Sequence, residues 1–492
     1  MKFFLIILFT VTYSIDLNEW NNTKSILSPN KLITNNDFLY GATPGGIFTY
    51  DMTNKDFLKD NIPIFCDELV QFDQFNNEDF WFLCRNGVLY NSSNLMINHL
   101  DVNMAIDFII HDHSIFVLYE DESAYGIMKF NFSNNDIVFE DYYQGFTYSY
   151  SEEFISISIL EDGLFLLTDE GIYLGDINSD LKLPSSWSFI NQLGSPLDFF
   201  LNQDSLLLIF NNYLNIINKE DFSTIDTIDF DLGDYIDFSI DNESLYLLGT
   251  EKIIFLNNSI EIINEYVYDF EPAKSLLVNE DIYIGVKDQG FWTLSNNQIT
   301  KCSPNTLLSN DIEAITYSDE TLYGVNRNGV FIIREDNVVT NLLSNQENSS
   351  YLDEASFSEC NFFNGVQLDY VPGSKISSSI ALNNKKIYIP NSGILPDENN
   401  NQGGLIILDV ENFIVDDIIG TSELDGLGGI YFQDIDDSYM TINQVKIDSN
   451  ERLWVVNPYA EHNNEILAYY DFQEETWGHI ESPDEKSYLP QE

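Results

Sequence analysis

The chain has 492 residues, of which 80 are Asp or Glu and 21 are Lys or Arg, so its formal net charge is −59. Such an acidic surface repels nucleic-acid phosphates and anionic lipid headgroups, which argues against both as partners. The charge does not indicate disorder, because 44% of the residues are hydrophobic and the 36 Phe and 28 Tyr can form a large core. The length predicts roughly two to four domains.

The first 14 residues have the pattern of a secretory signal peptide. Lys2 supplies a positive charge, residues 3–11 form an apolar run too short to span a bilayer, and Thr12 and Ser14 are small residues before a cleavage point. We expect a mature chain that begins near Ile15, the alternative being a buried N-terminal strand. No later apolar run of about 18 residues occurs, so we predict an exported protein of the cell surface, periplasm or medium without stable membrane insertion.

A short unit of two apolar strands around a polar turn recurs along the chain. Examples are FLYGATPGGIFTYD from Phe38 and TLYGVNRNGVFIIRED from Thr321. Its leading apolar positions are Leu39, Phe80, Ile115, Leu164, Leu206, Leu245, Ile282 and Leu322. Their mean spacing is about 40 residues, which with several short β-rich strands per unit is typical of propeller blades. A β-solenoid is the alternative, although its rungs are shorter.

The spacing changes after about residue 345. Two further copies begin at Lys386 and Arg452, and polar insertions at 396–402 and 457–464 predict long loops within them. Ten copies exceed the four to eight blades of one ring. We therefore predict an all-β fold, with a first β-propeller of about seven four-stranded blades over residues 15–345 and the start of a second, incomplete propeller over 346–492. We expect the chain to be a fragment of a longer reading frame, unless the number of blades per ring differs.

The four cysteines are Cys66, Cys84, Cys302 and Cys360. In an exported chain they can pair as Cys66–Cys84 and Cys302–Cys360, although four cysteines allow three pairings. Buried free thiols are an equal alternative. Zinc is disfavoured because no C-x-x-C occurs.

The segment INQVKIDSNERLWVVN, residues 442–457, resembles the blade signature of two-component-regulator propeller repeats. Glu451 stands where that signature usually has Gly. The wider layout resembles exported twin-propeller proteins of the Bacteroidetes, and NDFLYGATPGGIFTYD and SSSIALNNKKIYIPNSG are similar to the PorZ-like component of type IX secretion in particular. This resemblance implies a non-enzymatic surface protein with two seven-bladed rings and a C-terminal module, which recognises glycans or proteins in secretion or sensing.

No motif in the chain indicates an enzyme. G-x-S-x-G, P-loop and H-E-x-x-H patterns are absent, and a catalytic carboxylate pair cannot be singled out among 80 acidic residues. His111 and His113, with Asp112 or Asp101, form a metal half-site or, as we favour, a solvated turn. Calcium candidates are Asp176 and the cluster Asp434, Asp436 and Asp437, but these lack EF-hand spacing and fit ordinary turns. We predict no cofactor and no metal.

Aromatic residues concentrate in the last repeat, where Trp454, Tyr459, Tyr469, Tyr470 and Trp477 occur. Aromatic rings can stack on sugars, although most blade aromatics belong to the core. Tyr459, which lies in a polar insertion, is the first candidate for ligand binding, with Trp454 and Trp477 beside it. We expect protein or surface glycan as the partner. The function hypotheses are a type IX secretion component, the ligand-sensing ectodomain of a hybrid two-component sensor, and a carbohydrate-active enzyme.

Overall fold

The computed structural model describes residues 24–343, 365–367 and 379–480, with internal gaps of which the longest are 59–67, 145–152, 392–403, 420–441 and 457–466. In this part of the chain, the regular structure is β-strand apart from one 3₁₀ turn at Pro184–Ser186. The strands form ten sheets, nine of four strands and one of five, and consecutive strands within a sheet pair antiparallel except for the last pair of the five-stranded sheet. The predicted all-β propeller fold is confirmed.

Sheets 1 to 7 are meanders in chain order. Sheet 1 contains β1 (Lys31–Asn35), β2 (Phe38–Thr43), β3 (Gly46–Asp51) and β4 (Asp56–Phe57). Sheet 2 contains β5 (Leu69–Phe75), β6 (Asp79–Cys84), β7 (Val88–Asn91) and β8 (Asn98–His99). Sheet 3 contains β9 (Met104–His111), β10 (Ser114–Asp121), β11 (Ala124–Ser133) and β12 (Asp136–Gln144). Sheet 4 contains β13 (Phe154–Leu160), β14 (Gly163–Thr168), β15 (Ile172–Asp176) and β16 (Trp187–Ile190). Sheet 5 contains β17 (Asp198–Leu201), β18 (Ser205–Ile209), β19 (Tyr213–Asn218) and β20 (Thr224–Asp229). Sheet 6 contains β21 (Tyr235–Asp241), β22 (Ser244–Gly249), β23 (Lys252–Leu256) and β24 (Ile262–Val267). Sheet 7 contains β25 (Pro272–Asn279), β26 (Asp281–Val286), β27 (Gly290–Ser295) and β28 (Gln298–Cys302).

Sheets 8 to 10 follow the same order of strands. Sheet 8 contains β29 (Ile312–Ser318), β30 (Thr321–Asn326), β31 (Gly329–Ile333) and β32 (Val339–Leu343), to which β33 (Gly365–Gln367) adds in parallel. Sheet 9 contains β34 (Ala381–Asn383), β35 (Lys386–Asn391), β36 (Gly404–Asp409) and β37 (Ile414–Ile419). Sheet 10 contains β38 (Gln444–Ile447), β39 (Arg452–Val456), β40 (Leu467–Asp471) and β41 (Thr476–Ile480).

Each sequence repeat corresponds to one sheet, because its leading apolar residue lies on the second strand. Leu39 lies on β2 and Leu322 on β30, for example. The turn between the first and second strands requires left-handed backbone, with φ of 53° at Asn36, 50° at Asp112 and 49° at Asp319. Asn and Asp adopt this conformation more readily than most residues, which explains why polar pairs punctuate the apolar repeats.

The first seven sheets close into a ring. Seven clusters of buried apolar side chains join each sheet to the next, and the last of them joins sheet 7 to sheet 1. In that closing cluster, Phe291 of sheet 7 stacks on Phe48 of sheet 1 with ring centroids 5.6 Å apart. Asn279 Nδ2 also donates to Thr34 Oγ1 at 3.2 Å across the same boundary. A sheet that is apolar on both faces is stable only when both faces are covered, and closure provides this without leaving an end.

Sheets 8, 9 and 10 form a separate arc. Sheet 8 packs on sheet 9 through a cluster around Val330 and Ile389, and sheet 9 packs on sheet 10 through a cluster around Tyr388 and Val455. The ring thus ends at Cys302, whereas the sequence analysis placed the eighth repeat in the first unit, with a boundary near 345. The difference arises because seven sheets already cover every face of the ring, so the eighth has no place in it.

The outer edges of several sheets are interrupted by β-bulges. The outermost strands β12, β20, β24 and β37 each shift register by one residue against their neighbours. The extra residue on β20 is Ile225, which is exposed. Such bulges twist an edge away from further strand pairing, which limits edge-to-edge aggregation.

The cysteines fall partly within the described chain. Cys84 on β6 and Cys302 on β28 are buried and disulfide-bonded, which removes the free-thiol alternative for these two. Cys66 and Cys360 lie outside the described residues, so the pairing itself stays a prediction. The predicted signal peptide, residues 1–14, also lies outside them.

Candidate functional site

The first strands of the sheets surround the axis of the ring, and Asp107 on β9 joins three of them. Its Oδ1 accepts hydrogen bonds from the Phe108 amide at 2.8 Å and from Gln71 Nε2 of sheet 2 at 3.2 Å. Its Oδ2 accepts the Ile157 amide of sheet 4 at 3.0 Å. A register shift in β9 just before Asp107 turns the side chain toward its neighbours. One carboxylate therefore satisfies donors from sheets 2, 3 and 4.

Two further aspartates repeat this arrangement in sheets 5 and 6. Asp198 Oδ1 accepts its following amide, that of Phe199, at 2.8 Å, and its Oδ2 accepts the Tyr235 hydroxyl of sheet 6 at 2.9 Å. Asp237 Oδ2 in turn accepts the Leu276 amide of sheet 7 at 2.8 Å. In each case, one oxygen satisfies the strand that carries the aspartate and the other holds the next sheet.

Burial raises the pKa of both Asp107 and Asp198. The pKa of Asp107 rises to about 6 because protein surrounds its carboxyl group, although the residue as a whole is only half-buried. Hydrogen bonds from the Ile157 and Phe108 amides and the charge of Lys31 oppose the rise. The pKa of Asp198 rises to about 7, again chiefly through burial, and the nearby charge of Asp237 adds to it. Both carboxyls are therefore poised to change protonation near neutral pH.

Lys31 on β1 supplies positive charge at the axis. Burial raises the pKa of Asp73, Asp107 and Asp198, which belong to sheets 2, 3 and 5, and the charge of the Lys31 ammonium partly opposes each rise. One cation thus partly neutralises carboxylates from three sheets. We name Lys31, Asp107, Asp198 and Asp237 the axial belt.

The chemistry of the axial belt is that of structural bridging. Each of its aspartates accepts backbone amides, which use the lone pairs that a metal would need. Among the residues that the structure describes, no group of three or more metal-ligating side chains occurs. His111 Nε2 lies 3.6 Å from Asp112 Oδ2 at the end of β9, in an exposed turn. Asp176 accepts the Asn178 amide within its own turn, while Asp434, Asp436 and Asp437 lie outside the described residues.

The two tryptophans of the last repeat lie on opposite faces of sheet 10. Trp454 pairs with Tyr469, with ring centroids 5.0 Å apart, on the face that no described sheet covers. Trp477 lies 5.1 Å from Tyr470 on the other face and packs into the core shared with sheet 9. The alternation of side chains along a strand causes this separation. Tyr459 lies outside the described residues.

Polar contacts fix the aromatic side chains of the uncovered face. Trp454 Nε1 donates to Asp448 Oδ2 at 2.8 Å, a bond that lowers the pKa of Asp448. The Arg452 guanidinium carbon lies 5.0 Å from the centre of the Tyr469 ring, and Arg452 Nε donates to Asp471 Oδ2 at 3.0 Å. Trp454 is half-buried. The face thus combines two aromatic rings with Arg452, its partner Asp471, and Lys446, which pairs opposite Trp454.

Sequence reasoning missed the axial belt, although a signal for part of it exists. The tripeptides Ile-Asp-Phe at 106–108 and 236–238 and Leu-Asp-Phe at 197–199 recur at the first strand of three sheets. An aspartate between two apolar residues in a strand is unusual, since strands are depleted in Asp. No comparable sequence pattern marks Lys31, because its proximity to these aspartates depends on closure of the ring.

The ring and its inner-strand contacts define a β-propeller protein. PorZ, a surface component of the type IX secretion system of Porphyromonas gingivalis, is similar in structure, with a TM-score of 0.63 and 12% identity over 94% of this chain. The chain spans 60% of the PorZ chain. The extracellular domain of a putative hybrid two-component system from B. thetaiotaomicron gives a TM-score of 0.40 and 12% identity, covering 94% of this chain and 67% of its own. The AfRom2 CNH domain gives a TM-score of 0.41 and 14% identity, and the match covers 55% of this chain and 94% of that domain.

No protein-family model and no curated protein matches the sequence. At 12% identity, the likeness to PorZ establishes the fold. No helix in the described part of the chain is long and apolar enough to cross a bilayer.

Proposed function

We propose that the protein is an exported, non-enzymatic β-propeller protein that recognises a protein or a glycan at the bacterial cell surface, in association with type IX secretion. The observation that carries the proposal is the structural likeness to PorZ over 94% of the chain, which includes both the ring and the arc. PorZ is itself an essential surface component of that system.

Two features of the chain support the proposed location. The first 14 residues match a secretory signal, and both described cysteines are disulfide-bonded, as is usual in oxidising compartments. The net charge of −59 also keeps the chain soluble and repels it from anionic lipid headgroups, which supports a location outside the bilayer.

The location is tested in the native bacterium with a C-terminally tagged chain. We expect a mature N-terminus at Ile15 and cleavage by protease added to intact cells. The variant Leu5→Arg, which interrupts the apolar run of the signal, is the matched control. It should stay inside the cell and keep its N-terminal Met1. An unprocessed wild-type chain in the cytoplasm would contradict the proposal.

The secretion role is tested by deleting the gene and measuring type IX cargo on the cell surface. We expect cargo to disappear and to return with the intact gene but not with the Leu5→Arg gene. Normal cargo export in the deletion strain would contradict the secretion role. A lost transcriptional response in that strain would instead favour the sensor hypothesis, and turnover of a glycan by the purified protein would overturn the non-enzymatic assignment.

A further inference from the structure

Hydrogen-bonded polar groups, rather than an apolar core, join the ring to sheet 8. Among the described residues, no cluster of buried apolar side chains contains both a ring sheet and sheet 8. The linker of residues 303–311 connects the two units, and residues 24–29, which we call the strap, contact it. Units that share little apolar surface usually move relative to one another. The contacts of the strap and the linker therefore decide whether the ring and sheet 8 move separately.

The strap is bound to the ring. Ile26 is 3% exposed within the apolar cluster that closes sheet 7 on sheet 1. The Leu27 carbonyl accepts a hydrogen bond from the Gly290 amide at 2.6 Å. The Pro29 carbonyl accepts one from the Ser275 hydroxyl at 2.9 Å. Gly290 and Ser275 belong to sheet 7, whereas the strap continues into the first strand of sheet 1, so the strap lies across the boundary at which the ring closes.

The strap also holds the linker. Thr306 Oγ1 accepts a hydrogen bond from the Ile26 amide at 3.3 Å and donates to the Lys24 carbonyl at 3.0 Å. Asn310 Oδ1 accepts the Ser25 amide at 2.6 Å. Thr306 is 4% exposed, so loss of its hydroxyl leaves polar groups of the strap without a partner in a buried place.

The opposite side of the linker is bound to sheet 8. Asn305 pairs with Val339 of β32 as a neighbouring backbone would, because its Nδ2 donates to the Val339 carbonyl and its Oδ1 accepts the Val339 amide, both at 2.8 Å. Leu307 packs on Phe331 of β31. The linker is therefore fixed to sheet 8 through both polar and apolar contacts.

One buried acceptor at this junction has no donor. Asn341 of β32 is 1% exposed, and its Nδ2 donates to the Thr306 carbonyl at 2.9 Å. Its Oδ1 has no hydrogen-bond partner in the part of the chain that the structure describes. An unsatisfied buried acceptor opposes closure of the junction, because the same oxygen binds water when the junction opens. The hydrogen bonds of the strap offset this cost.

We propose that the strap is a latch that holds the ring and sheet 8 as one rigid body, and that release of its hydrogen bonds to Thr306 and Asn310 lets sheet 8 hinge on the linker. The ring binds the strap, the strap binds the linker, and the linker binds sheet 8. Because Thr306 and Asn310 lie outside the ring, loss of their contacts uncouples the two units while the ring stays closed. The latch does not depend on the role in secretion.

Cleavage of the linker by thermolysin under native conditions tests the latch. Thermolysin cuts on the amino side of leucine, and Leu307 and Leu308, which are 1% and 4% exposed, become accessible only when the linker opens. Thr306→Val removes the hydroxyl that makes two strap contacts, so it should accelerate cleavage at these bonds by about tenfold or more. Thr227→Val is the matched control, because the exposed Thr227 hydroxyl donates to Asn215 within sheet 5, and it should leave the rate unchanged.

A second pair of substitutions separates the latch from general loosening of the linker. Ser25→Pro removes the amide that Asn310 accepts, and Asn310→Ala removes the acceptor. Because both changes delete the same hydrogen bond, the double variant should be cleaved no faster than the faster single variant. Multiplied rates in the double variant, or a Thr306→Val rate equal to that of Thr227→Val, would overturn the latch. Circular dichroism confirms that each variant is folded.

Distances between spin labels on the two units test the rigid body directly. Labels at Ile263→Cys on β24 and Glu313→Cys on β29, both exposed positions, are measured by double electron–electron resonance. We expect one narrow distance distribution with the native latch and a broader one when Thr306→Val and Asn310→Ala are combined. A distribution with the native latch as broad as that of the combined variant would overturn the proposal.

Discussion

The substitution Asp198→Asn should stabilise the ring at alkaline pH. In the folded chain, burial and the neighbouring Asp237 raise the pKa of Asp198 to about 7, whereas an unfolded aspartate ionises near 3.9. The folded state therefore holds a proton between these values that the unfolded state releases. Stability falls as pH rises from about 4 to 7, because the unfolded state is then favoured by ionisation.

The pKa difference sets the size of the effect. About three pKa units at 1.36 kcal/mol each correspond to at most about 4 kcal/mol lost above pH 7. Asparagine stays neutral and keeps an acceptor oxygen, while the Tyr235 hydroxyl can reverse to accept from the new amide. Asp198→Asn should therefore match the wild type near pH 4 and exceed it at pH 8 by up to about 4 kcal/mol.

Urea unfolding at pH 4.5 and pH 8.0, followed by tryptophan fluorescence, measures this difference. Asp51→Asn is the control of opposite sign, because hydrogen bonds from Asn54 lower the pKa of Asp51. The charged form of Asp51 contributes stability that is lost as pH falls through its folded pKa, so this variant should lose stability at pH 8.0. An Asp198→Asn variant that is less stable than the wild type at both pH values would refute the reasoning.

Substitutions at three further positions test the contacts that hold the ring together. Lys31→Met removes the axial cation, so it should lower the free energy of unfolding more at pH 8 than at pH 5, as urea titrations at the two pH values would reveal; equal losses would contradict the electrostatic role. Asp107→Ala leaves the Ile157 amide without its acceptor and should cost about 1–3 kcal/mol in the same assay, whereas Asp107→Asn should cost less. Gly41→Ala places a methyl group against the Phe48 ring and should cost about 1–3 kcal/mol, measured as a lower thermal midpoint, and an unchanged midpoint would argue against this packing.

The sequence predicted the strands better than their grouping. The repeat spacing located ten sheets because each repeat is local, with an apolar second strand such as β2 or β39 bounded by polar turns. Ring closure depends on contacts such as Asn279 with Thr34, which are 245 residues apart, and no local pattern encodes them. The predicted boundary near 345 therefore lies just after β32, the fourth strand of sheet 8, whereas the ring ends at Cys302.

The candidate site was predictable only in part. Period-two alternation could have separated Trp454 from Trp477, but this required the register that pairs Trp454 with Tyr469 and Tyr470 with Trp477. The aspartates of the axial belt were not singled out, because the register shifts before Asp107 and Asp237 and the contact of Asp198 with Tyr235 arise only in the folded chain.

Ring closure after seven sheets is the claim on which the other conclusions depend, and cross-linking tests it directly. The double variant Thr34→Cys with Asn279→Cys, treated with a short thiol cross-linker, should give an intramolecular product identified by peptide mass spectrometry. Thr34→Cys with Ser318→Cys, which places the second thiol at the equivalent end of β29, should give none. Cross-linking of the second pair and not of the first would mean that sheet 8 belongs to the ring, and would contradict the account.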